Sequence, residues 1–162
     1  MDGRGAPVDF KEAIRYQKMA VECLRKKVSN IEDWDISVSD YKRYQESTRD
    51  EREEVLKSIG RFQTWLRAAD TTCPEACFLV GKCYNMGILT SKNSQRARSY
   101  YLKGAKHGDA FCQANYGSMM RELEWYEIAA HGGSYAGAYN AANHYDGENS
   151  QKERYYRRLV KR

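Results

Sequence analysis

From Ala76 to Met86, and again from Ser94 to His107, apolar and small residues recur at intervals of three and four. That spacing lines one face of an α-helix. Between the two runs, Gly87 to Asn93 is rich in turn-forming residues, so Pro74 to Gly108 is predicted to be a helical hairpin. In the first run Ala76 and Gly81 stand among Phe78, Leu79, Val80, Cys83 and Tyr84, which leaves room for a second backbone to come close. In the second, Ala97, Tyr100, Tyr101, Gly104 and Ala105 form the stripe. Gly108 is placed to end that helix in the left-handed conformation, with Lys103, Lys106 and His107 at the negative end of its dipole.

The second helix recurs. Tyr100-Tyr101 is followed four residues later by Gly104-Ala105, and Trp125-Tyr126 by Ala129-Ala130. Weaker copies are Tyr155-Tyr156 with Leu159-Val160, Trp65 with Ala68-Ala69, and Tyr16 with Met19-Ala20. The first helix recurs as well: Ala110, Cys112, Tyr116 and Gly117 lie over Pro74, Ala76, Val80 and Gly81, and Tyr135 to Tyr145 is a further copy with Ala142 in the glycine's place. A fixed-period pattern of this kind marks a solenoid of stacked hairpins. Ordering the backbone costs about 1 to 2 kcal/mol per residue, whereas a buried Tyr or Trp gains at most roughly 4 to 6 kcal/mol. A lone hairpin therefore cannot stand, and neighbours must cover one another.

Elsewhere the pattern is less regular. Asp9 to about Lys27 reads as a helix whose Ala13, Tyr16, Ala20, Cys23 and Leu24 share a face. Val28 to Ser47 has mixed periodicity, and an irregular segment through Asp35 followed by a helix from about Ser39 is expected. Thr48 and Glu51 have the order of a capping box for one helix from Arg49 to Ala69, with Val55, Leu56, Ile59, Phe62, Trp65 and Leu66 inward.

The set Ala76, Gly81, Tyr84, Gly87, then Ala97, Tyr100, Tyr101, Ala105 and Gly108, resembles the Sel-one-like repeat, a branch of the tetratricopeptide-type helical hairpins. Gly3, Gly5, Asp9, Ala13, Tyr16 and Ala20 resemble the second half of such a repeat. The resemblance implies an all-α, right-handed α-solenoid forming a single domain over 1–162. Its expected divisions are a partial repeat (second helix) at 1–27, a divergent repeat at 28–73, the best-matching repeat at 74–108, a shortened repeat at 109–133, and a C-terminal repeat with a basic capping helix at 134–162. It also implies a non-enzymatic adaptor or scaffold whose partners are other proteins within a multi-protein complex. The chain departs from the pattern after Gly108, where the repeats are shortened and the turns inside them must be nearly absent.

Composition adds three points. The 162 residues suit one domain, contain no apolar run long enough to insert in a membrane, and open with Asp2, Arg4 and Asp9 where a signal peptide has its apolar core. An intracellular, reducing compartment, cytoplasmic or organellar, is expected. The five cysteines, Cys23, Cys73, Cys77, Cys83 and Cys112, match no zinc spacing, and Cys77, Cys83 and Cys112 are read as small core residues. No cofactor or metal is implied. His107, His131 and His144 have no nucleophile at a recognised spacing, and no phosphate-binding loop is present.

Charge is uneven along the chain. Between Glu32 and Glu54 nine acidic side chains stand against four basic ones, which a solvated helix face or an acidic surface would explain. At the other end Lys152, Arg154, Arg157, Arg158, Lys161 and Arg162 oppose one acid, Glu153, and Ser150 with Glu153 forms a second capping box. These six are the candidate partner-binding residues. The helix they occupy is either a cap packed through Tyr155, Tyr156, Leu159 and Val160, or a docking element for an acidic protein. A structural RNA-binding subunit of a ribonucleoprotein, with this helix on phosphates and tyrosines as stacking platforms, is the alternative function. Most of the tyrosines, however, occupy repeat positions that solenoids bury.

Overall fold

The hairpin from Pro74 to Gly108 forms as the spacing predicts, and the rest of the chain stacks on it. The computed structural model describes residues 9–147 and 150–161. Within them the chain forms ten helices: α1 (Phe10–Arg25), α2 (Ile31–Glu46), α3 (Arg52–Ile59), α4 (Phe62–Asp70), α5 (Pro74–Met86), α6 (Ser94–Lys106), α7 (Ala110–Met120), α8 (Leu123–His131), α9 (Tyr135–His144) and α10 (Ser150–Val160). No strand occurs among the described residues. Helices α5 with α6, α7 with α8 and α9 with α10 pair as hairpins, and α4, α6 and α8 each also pack on the next hairpin's first helix. Helices α2, α5, α7 and α9 follow one another as a single layer. The molecule is an all-α helical repeat solenoid.

Glycines set how closely the helices approach. A Cβ on Gly81 of α5 would meet the Tyr101 ring of α6 at 2.6 Å, and one on Gly117 of α7 would meet Trp125 and Tyr126 of α8 at 3.0 and 3.2 Å. In these two hairpins a ring of the second helix, Tyr101 or Tyr126, is therefore seated on the glycine of its own first helix. The small residue of the second helix, Gly104, receives Cys112 of the following α7. Tyr101, Phe78, Trp65 and Leu56 are fully enclosed in the main core, and a smaller core joins Ala130, Ala138, Ala141, Ala142 and Tyr156 at the C-terminal end.

Three expectations are corrected. Helix α2 begins at Ile31, not near Ser39. Its buried stripe is Trp34, Ser37, Asp40, Tyr41 and Tyr44. Two polar residues lie on that stripe while Ile36 and Val38 lie beside it, so the hydrophobic periodicity looked mixed. The early start is held by tertiary partners: the Trp34 indole N–H donates to the Thr71 hydroxyl at 2.8 Å, and Asp33 pairs with Arg67 at 3.0 Å.

The single helix expected from Arg49 to Ala69 is two. Gly60, at φ +61°, caps α3 in the left-handed region before α4 starts. The Thr48 and Glu51 box is present in one half, the Thr48 N–H donating to Glu51 Oε2 at 3.1 Å.

Helix α1 has the expected extent, with Asp9 accepting from Lys11 and Glu12 as N-cap. Its inward face differs from the expected one. Tyr16 is 60% exposed, and Ala20 and Cys23 are exposed, whereas Ala13, Gln17, Val21 and Leu24 are half-buried. The helix lies against α8 and the turn at Gly108, where Gln17 is in contact, and these neighbours select the stripe that turns inward. The turn at Gly3 and Gly5, the Ser150 side chain with its capping box, and Arg162 lie outside the described residues.

Candidate partner-docking surface

Helix α10 packs on α9 because its apolar residues share one side. Tyr156 is buried and Leu159 and Val160 are half-buried against the C-terminal core. At about 100° per residue, Arg154, Arg157, Arg158 and Lys161 fall together on the opposite side, and all four are exposed. Arg157 Nε pairs with Glu153 at 2.6 Å, and Arg158 Nε donates to the Arg154 carbonyl at 3.3 Å. Lys152 is not part of this group. Its Nζ donates to the Tyr145 hydroxyl at 3.1 Å and rides 4.8 Å over that ring.

Beside α10 stands a polar network that the sequence pattern did not indicate. Glu127 Oε1 accepts from the hydroxyls of Tyr145 at 2.7 Å and Tyr156 at 3.1 Å. Burial, then the Glu127 charge, pushes the Tyr156 phenol well up, while the Tyr145 hydroxyl holds the Lys152 ammonium above its ordinary value. His131 Nδ1 lies 2.7 Å from the Glu127 carbonyl, which only accepts, so that nitrogen carries a proton. Its Nε2 lies 3.1 Å from the Tyr155 hydroxyl. Glu127 and His131 are four apart on α8, the one local signal of the cluster; its other members, Tyr145 just after α9 and Tyr155 and Tyr156 on α10, meet them only on folding.

The acidic stretch is compensated in three dimensions. Asp35 pairs with Arg25, Asp33 with Arg67, Glu46 with Lys42, and Glu53 and Glu54 with Lys57. Arg25, Lys57 and Arg67 come from outside the span over which the acidic excess was counted, so the linear imbalance overstates the surface charge. Of the tyrosines, Tyr41, Tyr44, Tyr84, Tyr101 and Tyr156 are buried, while Tyr135, Tyr139 and Tyr155 are exposed near the C-terminal end.

The cysteines are all free, with Cys23 exposed and the other four buried. Burial pushes the Cys77 and Cys83 thiols up to about 12 and the Cys112 thiol well above its ordinary value, so none of these three is a nucleophile near neutral pH. Cys112 Sγ reaches the Pro74 carbonyl inside the core, whereas His144 is exposed at the end of α9 with its ring against Tyr145. The Cys112 and His144 combination is therefore not an active pair. Among the described residues no group of three or more His, Cys, Asp and Glu is placed to hold a metal, and no helix is long and apolar enough to cross a membrane.

With the hairpin stack and its exposed basic helix described, the class is an all-α helical-repeat protein. Residues 1–23, 74–109 and 123–134 match the Sel1 repeat. The chain carries Sel1 repeats. Its fold is similar to the crystal structure of a Sel1 repeat protein from Oxalobacter formigenes, with 19% sequence identity and a TM-score of 0.58, over 99% of this chain and 82% of that one. No curated protein matches in sequence. Sel1 repeats generally mediate protein–protein interaction, and proteins built from them are typically non-catalytic scaffolds.

Proposed function

We propose that the protein is a non-enzymatic adaptor within a multi-protein complex, and that its C-terminal helix docks an acidic partner surface. The carrying observation is the division of α10 into an inward apolar side, Tyr156, Leu159 and Val160, and an outward side bearing Arg154, Arg157, Arg158 and Lys161. Guanidinium groups form bidentate pairs with carboxylates and are less strongly hydrated than ammonium groups, which suits them to such an interface. Arg162, one residue beyond the described part, extends the same basic run in sequence. The compartment we infer is intracellular and reducing, in keeping with five unpaired cysteines.

Affinity capture with the tagged chain from lysate of its source, with and without nuclease and followed by mass spectrometry, tests this reading. A defined set of proteins that survives nuclease and is lost with Arg154→Gln/Arg157→Gln supports it. Partners that disappear with nuclease favour the ribonucleoprotein alternative, whose affinity would fall with salt at a log-log slope of at most roughly −4 for six contacts to a single strand.

A further inference from the structure

Two depressions meet beside α10, and together they form a mixed apolar and cationic groove. One, of 440 Å³, is lined by Glu127, Lys152, Tyr156 and Arg158. The other, of 610 Å³, has Ala130, Leu159 and Val160 along its floor, with Lys11 and Tyr135 at its edge. His131 and Tyr155 line both, with the Tyr155 hydroxyl 3.1 Å from His131 Nε2. Tyr155 is 42% exposed and Tyr135 62% exposed, which puts two aromatic rings in reach of a ligand.

Among the described residues that line this groove, Lys11, Lys152 and Arg158 outnumber the carboxylate of Glu127, whose Oε1 already accepts from two tyrosine hydroxyls. A purely apolar helix laid here would desolvate Lys11 and Arg158 without offering them a counter-charge, which is costly. A bare phosphate backbone would have no use for the Ala130, Leu159 and Val160 floor. A ligand that satisfies both parts carries carboxylates next to a large apolar side chain.

Building on the docking role of α10, we propose that this groove binds an acidic peptide segment containing one bulky apolar residue. That residue lies on Ala130, Leu159 and Val160, and the neighbouring carboxylates reach Arg158 and Lys11. This contact lies on the flank of α10 that carries Tyr155 and Arg158, while Arg154 and Arg157 on the outward side are left to the rest of a full-length partner's acidic surface.

Fluorescence anisotropy on the intact chain tests it with four labelled probes: the peptide Glu-Asp-Phe-Glu-Asp-Glu, the same peptide with Ala for Phe, its counterpart with Lys for every acid, and a twelve-residue oligouridylate. The phenylalanine peptide is expected to bind saturably, the alanine peptide at least about tenfold more weakly, and the lysine peptide not at all. Arg158→Glu and Tyr155→Ala should each weaken binding at least about tenfold, and Arg157→Gln less than about twofold. Melting curves confirm that each variant is folded. Absence of saturable binding, equal binding of the alanine peptide, equal loss in Arg157→Gln, or tighter binding of the oligouridylate would each overturn it. Should the peptide fail while Arg154→Gln/Arg157→Gln still removes nuclease-resistant partners from lysate, the groove is wrong and the adaptor reading survives. If both fail, both fall.

Discussion

Gly81 on α5 lies directly beneath the ring of Tyr101 on α6, where an added Cβ would stand 2.6 Å from Cε1 and 2.7 Å from Cδ1. Tyr101 is wholly enclosed, so its ring has nowhere to move. Gly81→Ala gains about 1 kcal/mol of helix propensity and incurs an overpacking cost of about 1 to 3 kcal/mol. A net loss of about 1 kcal/mol in urea unfolding is expected. Tyr101→Ala, which empties the seat, should cost about 3 to 5 kcal/mol.

A buried polar contact ties α2 to α4. The Trp65 indole N–H donates to Asp40 Oδ2 at 2.8 Å, Asp40 is 5% exposed, and Arg61 stands 3.8 Å from the other oxygen. Trp65→Phe removes the donor and leaves a buried carboxylate oxygen without it. Equilibrium denaturation should show a loss of about 2 to 3 kcal/mol, more than the lost ring volume alone would cause.

Asp109 caps α7, accepting from the Cys112 N–H at 2.7 Å and the Tyr41 hydroxyl at 2.6 Å. Burial outweighs these hydrogen bonds and pushes its carboxyl up to about 6 from 3.8. In this case the folded state binds the proton more tightly than the unfolded chain does. The group's contribution to stability is full below about 3.8 and is lost as pH rises through about 6. Asp109→Asn keeps a capping oxygen and cannot ionise. Relative to wild type it should gain stability between pH 4 and pH 7, by at most about 3 kcal/mol. Urea titrations of both proteins at the two pH values check the sign.

Tyr155 and Tyr156 are adjacent in sequence and opposite in role. Tyr156 is 5% exposed and stacks on Tyr145 at 6.0 Å, while Tyr155 is 42% exposed. Tyr156→Ala should cost about 3 kcal/mol or more and lower the melting temperature clearly. Tyr155→Ala should cost about 1 kcal/mol or less. Circular dichroism melts of the pair separate the residue that holds α10 in place from the one that faces a ligand.

The repeat from Pro74 to Gly108 was legible because every signal in it is local. Helix spacing, the turn-rich break from Gly87 to Asn93 and the close of α6 at Gly108 all act within a few residues, and the helices run Pro74–Met86 and Ser94–Lys106 as a result. The break at Gly60 was not legible. A glycine inside an apolar 3.6-residue pattern costs a helix only about 1 kcal/mol, so the pattern alone cannot distinguish a tolerated glycine from a left-handed cap. Helix α2 was obscured for the opposite reason: Ser37 and Asp40 occupy inward positions because the Asp33 carbonyl and the Trp65 indole satisfy them.

The basic run of α10 was visible as charge, and its division into Lys152 on one side and Arg154, Arg157, Arg158 and Lys161 on the other follows from helical geometry once the buried side is known. By itself the sequence determined the helical class, the hairpin period and the apolar and basic composition of the last helix, since these depend on spacing within one or two turns. Only the tertiary structure decided which stripe of α1 turns inward, how the acidic stretch is neutralised, and that Glu127, His131 and Tyr145 gather against Tyr155 and Tyr156 of α10. Those outcomes depend on contacts between residues far apart in the chain, and no local spacing encodes which distant side chain will supply the partner.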